Sequence, residues 1–357
     1  MSTPDSMNLG LNTSLRSAVR QKFASALRSG DLLFSETQLA IVHTKEGIPF
    51  QLRYCPALSK KPKDNDVAVV VVPESGNNER KPKKKPSTKD PFDNPSPELL
   101  ISETATGSHI LLLNKFPVIP NHFILATKAN KPQTHLLERD DLADGQLLAF
   151  FNSGEHSGAS QPHRHIQFLP VADMRISHTK WQHPDTFDWN PLLLSMKSSF
   201  HASVTVNYTS NMLLPIRHFA IPLRDETPAS LYSKYIVLLK LALVSTGNHQ
   251  AESFINYDRD AKIDKEGGEV AFSYNLAMMP DVLAICPRRV ESASIPGLDS
   301  SHSVSVNGTI LAGTLMVKEQ QEWDALLSKD GALDGILETI GYPVAQDPSG
   351  PNSTTRL

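Results

Sequence analysis

Two histidines and a glutamine alternate along a short segment near the middle of the chain, at His163, His165 and Gln167. On a β-strand, residues two apart share a face, so these three polar side chains would project together. Ile166 and Phe168 alternate with them and would enter the core from the opposite face. The spacing therefore predicts a strand that presents an imidazole pair and an amide on one surface.

Small residues precede this predicted strand in the run from Ser157 to Ser160, which contains Gly158. A loop of this kind lets backbone N–H groups point at an anion without obstruction by side chains. The sequence thus places two imidazoles beside a candidate phosphate cradle.

Three chemical roles remain open for these histidines. Neutral His165 would serve as a nucleophile towards phosphorus, because imidazole has an unperturbed pKa of about 6.5 and a nucleotidylated imidazole leaves readily. The pair would alternatively form half of a metal site completed by His156, His178 or His183, although no established metal-binding motif accompanies it. The histidines would otherwise be structural. The glycine-containing loop and Gln167 favour the nucleophile.

The flanking segments predict the elements that hold this strand in place. Apolar periodicity indicates helices over residues 14–29, 140–151, 231–244, 319–326 and 333–339. Short apolar runs indicate strands over residues 110–113, 123–126, 163–169, 204–208, 219–222, 272–279, 282–286 and 309–317. Strands and helices mix without regular alternation, which favours an α+β fold with a mostly antiparallel sheet flanked by helices.

Composition narrows the function classes. The chain has 357 residues, enough for two domains or one large one, and its net charge of -3 gives no reason to expect a nucleic-acid or membrane-surface partner. No apolar run is long enough to cross a bilayer, and no secretory signal is visible at the N-terminus. Two cysteines, Cys55 and Cys286, suit a reducing compartment. We expect a cytoplasmic location, with the nucleus as a second one.

One stretch has a different composition from the rest. Residues 60–97 are rich in lysine, proline and short polar residues, and residues 81–86 read KPKKKP. Such a stretch is typical of a solvated surface loop, so we expect a mobile insertion near residues 64–90. A nuclear signal or a nucleic-acid patch is the alternative role for the basic run.

The string SGASQPHRHIQ, residues 157–167, resembles the histidine motif of the diadenosine tetraphosphate phosphorylases, also called ATP adenylyltransferases. These belong to the histidine triad superfamily, in the branch of galactose-1-phosphate uridylyltransferase, where a glutamine replaces the third histidine. Residues 55–62, 111–128, 151–154, 273–288 and 307–318 also look like this family, in its order. The resemblance covers about residues 15 to 345 and implies a histidine triad-like fold.

The resemblance also implies roles for individual residues. His165 would be the nucleophile, the backbone carbonyl of His163 would orient its ring, and Gln167 would contact the reacting phosphate. The substrate-binding residues carried over from the family are Lys61, Asn114, Lys115, Asn152, Gly158, Ala159, Ser160, Gln161 and Asn275. No metal ligand is implied. The chain departs from the family at residues 278–282, where a threonine and a basic residue are usual.

The implied reaction is phosphorolysis of diadenosine tetraphosphate to ATP and ADP, and its reverse, through an adenylyl-histidine. Residues 1–200 would form the catalytic portion, residues 201–345 an ATP adenylyltransferase portion and residues 346–357 a flexible tail. We expect no tightly bound cofactor, and a divalent cation such as Mg²⁺ would enter with the nucleotide. The partners would be small molecules, without nucleic acid or membrane, and the protein a monomer or small homo-oligomer.

Two alternative functions follow from the same residues. One is a nucleotidyltransferase with another acceptor, either a sugar phosphate or sulfate. The other is a nucleotide-binding protein without turnover, although intact His163, His165 and Gln167 argue against it.

Overall fold

A computed structural model describes residues 9–60, 90–134, 137, 147–177, 189–197, 213–247 and 268–344. The helices are α1 (Leu15–Ser29), α2 (Val171–Met174), α3 (Leu192–Lys197), α4 (Pro228–Ser245), α5 (Gln320–Ser328) and α6 (Ala332–Ile340). The strands are β1 (Gln38–His43), β2 (Pro49–Tyr54), β3 (Leu100–Glu103), β4 (His109–Leu113), β5 (Phe123–Thr127), β6 (Leu148–Ser153), β7 (His165–Leu169), β8 (Phe219–Pro222), β9 (Ser273–Met279), β10 (Val282–Arg288), β11 (Ser292–Ser294), β12 (Ser303–Ser305) and β13 (Thr314–Val317).

Eight of these strands form one antiparallel sheet in the order β3-β4-β5-β7-β6-β9-β10-β8. Strands from both predicted portions of the chain therefore belong to the same sheet, and β6 and β9 join them at its centre. A second sheet, β1-β2-β13, contains one parallel pair, and β11 and β12 form a hairpin-sized third sheet. The predicted α+β fold with a mostly antiparallel sheet is confirmed.

The large sheet buries a hydrophobic core on each face. Along β6, Phe151 packs into one core and Phe150 into the other, because neighbouring strand residues point to opposite faces. Helices α1 and α4 cover the Phe151 face. Helices α3, α5 and α6 and the β1-β2-β13 sheet contribute to the core on the Phe150 face.

The two helices on the Phe151 face both begin at residues that favour a helix N-terminus, and α1 also ends at a glycine. In α1, Ser14 caps the N-terminus by accepting a hydrogen bond from the Ser17 amide at 3.3 Å, and Gly30 ends the helix with a φ of 82°. In α4, Thr227 is the N-cap and Pro228 is the first residue, where its missing N–H costs nothing. Both predicted helices are confirmed.

The helix predicted over residues 140–151 is wrong where the structure describes it, because residues 148–153 form strand β6. This strand lies between β7 and β9, and all six of its residues are buried. A central strand that is apolar on both faces reads as a continuous apolar run, which periodicity does not distinguish from a buried helix.

The strand predicted over residues 309–317 is half right. Residues 308–312 form a 3₁₀ helix capped by Asn307, and Gly313, with a φ of 72°, reverses the chain into β13. Only glycine adopts such a φ without strain, so the turn splits the predicted strand.

Several predicted segments lie outside the described residues: the strand at 204–208, residues 64–89 of the insertion expected near 64–90, and the tail at 346–357. Among the described residues, no helix is long and apolar enough to cross a lipid bilayer.

Candidate active site

His165 is the first residue of β7, and its side chain points to the Phe150 face of the large sheet. It is 3% exposed, and its Nδ1 lies 2.8 Å from the backbone oxygen of His163, to which it donates a hydrogen bond. The proton therefore sits on Nδ1, and Nε2 keeps the lone pair. Burial is the largest cause that lowers the pKa of His165 to about 4, so the ring is neutral near pH 7. These are the properties of a nitrogen nucleophile.

A chain of hydrogen bonds fixes the amide of Gln167 beside it. Asn114 accepts from the Phe116 amide through Oδ1 at 2.9 Å, so its Nδ2 faces His122 Nδ1 at 3.3 Å. His122 then carries its proton on Nε2 and donates to Gln167 Oε1 at 3.1 Å. The Gln167 NH₂ group is thereby turned the other way, where it can donate to a phosphate oxygen.

A second series of hydrogen bonds fixes the amide of Asn152. This residue lies on β6, directly opposite Asn275 on β9. Arg288 donates to Asn275 Oδ1 at 2.5 Å, and Asn275 Nδ2 donates to Asn152 Oδ1 at 3.0 Å. The Gly308 amide also donates to Asn152 Oδ1, at 2.8 Å. The buried Asn152 Nδ2 has no hydrogen-bond partner among the described residues. It is therefore a donor held in a fixed direction.

The predicted phosphate cradle lies between these elements. A short 3₁₀ turn, residues 155–157, ends at Gly158, whose φ is 76°. A Cβ at Gly158 would come within 2.7 Å of the Val306 backbone oxygen, so both the conformation and the close approach require glycine. The backbone amides of residues 158–161 donate no hydrogen bond to another described residue. They fit the predicted anion-binding role.

Gln133 ties the histidine strand to the rest of the site. Its buried side chain accepts from the His165 amide at 2.8 Å and donates to the Asn152 backbone oxygen at 2.8 Å. One amide thus holds the backbones of β7 and β6 together beyond the last paired residues of their ladder.

His163 lies one step outside β7, where it makes an isolated bridge with Pro132. Its ring is 1% exposed and has Asp90 on one side and Thr127 on the other. Phe92 packs against the His163 ring and the His165 ring, with centroids 5.3 and 5.2 Å apart. The His163 ring is thus fully enclosed, and its backbone carbonyl accepts the hydrogen bond from His165 Nδ1.

The structure brings together most of the predicted site residues. His163, His165, Gln167, Asn152, Asn275 and residues 158–161 converge at one end of the sheet. Asn275 has no exposed surface and lies behind Asn152, whereas Lys115 is exposed in the turn after β4. Lys61 lies outside the described residues. The roles assigned to these residues stay predictions.

The metal alternative gains no support from the described part of the chain. No group of three or more His, Cys, Asp or Glu side chains is placed there to hold a metal ion. His178 and His183 lie outside the described residues, and His156 sits in the 3₁₀ turn with its amide donating to Ser273.

Sequence reasoning missed several residues that contact the predicted site residues, namely Asp90, Phe92, His122, Gln133 and Arg288. His122 lay inside a segment that resembles the family, and its position just before β5 was a usable signal. Asp90 lay at the edge of the lysine- and proline-rich stretch, where nothing in the local composition distinguished it.

Two family models match the chain. The model described as "Ap4A phosphorylase N-terminal domain" matches residues 6–182, and that described as "ATP adenylyltransferase C-terminal domain" matches residues 212–343. Two relatives from Saccharomyces cerevisiae align over nearly the whole length. Diadenosine 5',5'''-P1,P4-tetraphosphate phosphorylase 2 is 24% identical over 93% of this chain and 96% of its own. Protein APA1 is 23% identical over 94% and 96%.

Solved structures show the same fold. Yeast Ap4A phosphorylase Apa2 superposes with a TM-score of 0.66 at 21% identity and covers 93% of this chain and 98% of Apa2. The structure of Apa2 in complex with Ap4A superposes with a TM-score of 0.65 at 21% identity, over 92% and 97% of the two chains.

Proposed function

Since the chain belongs to the Ap4A phosphorylase family of nucleotidyltransferases, we propose that it splits diadenosine tetraphosphate (Ap4A) with inorganic phosphate into ATP and ADP through an adenylyl-histidine. The observation that carries the mechanism is the state of His165. Its Nδ1 is engaged by the His163 carbonyl, and its ring is neutral near pH 7, so Nε2 is the attacking atom.

In the first half-reaction, His165 Nε2 attacks the α-phosphorus of Ap4A. A P–N bond forms, the bond from phosphorus to the bridging oxygen breaks, and ATP leaves with the electron pair of that oxygen. The ring becomes cationic as the bond forms, and its Nδ1–H keeps donating to the His163 carbonyl. Charge on the non-bridging oxygens meets Gln167, Asn152 Nδ2 and the amides of residues 158–161.

In the second half-reaction, an oxygen of inorganic phosphate attacks the same phosphorus. A P–O bond forms as the P–N bond breaks, the electron pair returns to His165 Nε2, and the adenylyl group leaves joined to the attacking phosphate as ADP. The same donors serve both halves because both pass through the same charged phosphorus centre. We propose that Mg²⁺ arrives with the nucleotide and is not held by the protein alone.

The deciding experiment is a product assay on Ap4A with and without phosphate. We expect ATP and ADP in equal amounts, and only when phosphate is present. Two ADP, or AMP plus ATP irrespective of phosphate, would overturn the proposal. Incubation with α-labelled ATP should leave acid-labile label on the protein, which a nucleotide-binding protein without turnover would not retain. Supplying a sugar phosphate or sulfate in place of phosphate tests the alternative acceptors.

A further inference from the structure

The ring of His163 is enclosed between two oxygen acceptors. Its Nδ1 lies 2.7 Å from Asp90 Oδ2, and its Nε2 lies 2.7 Å from the backbone oxygen of Thr127. The Thr127 hydroxyl is also near Nε2, at 3.1 Å. The His163 side chain is 1% exposed and that of Asp90 21% exposed, so water has little access to this contact.

A neutral imidazole has one N–H and therefore donates to one of these oxygens only. Its other nitrogen would then face an oxygen lone pair at 2.7 Å in a buried place. The imidazolium form donates to both, and the Asp90 carboxylate balances its charge. The geometry thus favours a buried imidazolium–carboxylate pair behind the nucleophile.

Asp90 is itself held in position by its neighbours. Its Oδ1 accepts from the Phe92 amide at 2.9 Å, and its Oδ2 also accepts from Asn130 Nδ2 at 3.0 Å. Phe92 then packs against the rings of both histidines. One short segment, residues 90–92, therefore contacts both histidines: the Asp90 carboxylate bonds to His163, and the Phe92 ring packs against His165.

The Asp90–His163 contact affects His165 through the backbone carbonyl of His163. The carbonyl of this residue accepts the His165 Nδ1–H at 2.8 Å, and that bond decides which nitrogen attacks and where it points. Clamping the His163 ring on both sides restrains the backbone that carries this carbonyl. Burial is the largest cause that lowers the pKa of His165, whereas the hydrogen bond to the His163 carbonyl and the nearby Asp90 carboxylate both raise it.

We propose that Asp90 is a positioning residue of the active site, which holds His163 as an imidazolium so that the His163 carbonyl fixes the tautomer and direction of His165. This rests on the proposed function in one respect, namely that His165 is the nucleophile. The charge state of His163 does not depend on it.

The kinetic test compares three variants. Asp90→Asn keeps the shape and removes the charge, Asp90→Glu keeps a carboxylate, and Asp93→Asn removes an exposed carboxylate from the same segment. We expect Asp90→Asn to lower kcat for Ap4A phosphorolysis about 10- to 100-fold, as loss of a residue that orients a catalytic group does elsewhere, with KM for Ap4A unchanged. Asp90→Glu should lose less, and Asp93→Asn should match the wild-type protein.

The spectroscopic test reads the histidines directly and requires no turnover. In ¹⁵N-histidine NMR of the substrate-free protein at neutral pH, one ring should show two protonated nitrogens, and His163→Gln should remove that signal. Asp90→Asn should convert it to a neutral ring. A neutral His163 in the wild-type protein would overturn the charge assignment.

The two tests separate the two ideas. A protein without phosphorolysis would refute the proposed function while the spectrum still reports on the Asp90 pair. Full kcat in folded Asp90→Asn, or a loss confined to KM, would refute the positioning role even if phosphorolysis is confirmed. Should Asp90→Asn fail to fold, the wild-type spectrum and the Asp90→Glu rates decide.

Discussion

At the residue scale, three side chains of the candidate site each have one polar atom hydrogen-bonded within the protein and a second one that we propose faces the substrate. The Nδ1 of His165 is bonded to the His163 carbonyl, and Oε1 of Gln167 is bonded to His122. The same division applies to Asn152, whose Oδ1 is bonded and whose Nδ2 has no described partner. Such preorganised donors stabilise developing charge without having to reorient during the reaction.

Replacing His165 with alanine removes the proposed attacking atom. We expect kcat to fall by several orders of magnitude, as loss of a covalent nucleophile does in other enzymes. Mass spectrometry of the protein after incubation with ATP should map the adenylyl group to His165 in the wild type and find none in the variant. His43→Ala, which alters an exposed histidine on β1, is the matched control. Label uptake by His165→Ala, or an adenylyl group on His163, would contradict the assignment.

His122 should act only through Gln167. Gln167→Ala should raise the barrier by about 2–4 kcal/mol if it resembles loss of an oxyanion donor. His122→Ala should cost less, because Gln167 remains but its amide is free to turn. In the double variant we expect no further loss beyond Gln167→Ala, since contacting residues on one path are non-additive.

The measurement is kcat/KM for the two single variants and the double variant. Additive losses would show that His122 has a role of its own at the substrate.

At the scale of elements, the site is assembled where strands of the large sheet end or change partner. Strand β7 begins at His165, and the chain just before it hydrogen-bonds to the backbone of Lys131 and Gln133. This change of partner leaves the His163 carbonyl available to accept a hydrogen bond from His165 Nδ1. On β9, Asn275 is a polar residue on a face that is otherwise apolar. Burying its amide there without hydrogen bonds would cost folding free energy, and its bond to Asn152 offsets that cost.

Asn275→Ala tests the joint between β6 and β9. The variant removes the acceptor of Arg288 and one of the two donors to Asn152, and leaves a buried guanidinium N–H without that partner. We expect the free energy of unfolding to fall by about 1–3 kcal/mol, the cost of leaving a buried polar group unsatisfied. Urea unfolding measures it, with Asn94→Ala at an exposed position as control. A decrease in the free energy of unfolding no larger than that of the control would contradict the role of Asn275 in joining β6 to β9.

At the scale of the whole molecule, two of the buried histidines have a pKa that burial lowers strongly, namely His165 on β7 and His218, which directly precedes the edge strand β8. Burial lowers the pKa of His165 and of His218 to about 4, from the usual 6.5. The unfolded chain therefore binds protons at a higher pH than the folded one. The free energy of unfolding should decrease as pH falls from 6.5 to about 4, by up to about 1.4 kcal/mol per pH unit for each histidine.

Denaturant unfolding of the wild-type protein and of His218→Asn across this pH window measures the effect. The asparagine amide can replace the Nδ1–H donor to the Ile216 carbonyl, which His218 satisfies at 2.9 Å. The variant should show a shallower dependence on pH. If the free energy of unfolding had the same dependence on pH in both proteins, His218 would make no contribution to it, which would contradict the prediction.

Local patterns in the sequence were enough to identify the family and the fold class and to predict the chemistry. The alternation of His163, His165 and Gln167 on a strand and the small residues before it were readable because strand periodicity and glycine tolerance are local properties. The family resemblance and the α+β fold are confirmed. The division at residue 200 and the individual roles of the site residues stay predictions.

The groups that orient the proposed nucleophile and its proposed donors became apparent only in the folded structure. Asp90 is 73 residues from His163, His122 is 45 residues from Gln167, and Gln133 is 32 residues from His165. Each is a common polar residue whose role depends on the atom it faces, and that is set by strand pairing across the sheet. The central strand β6 was misread as a helix for the same reason, since burial on both faces is decided by its neighbours.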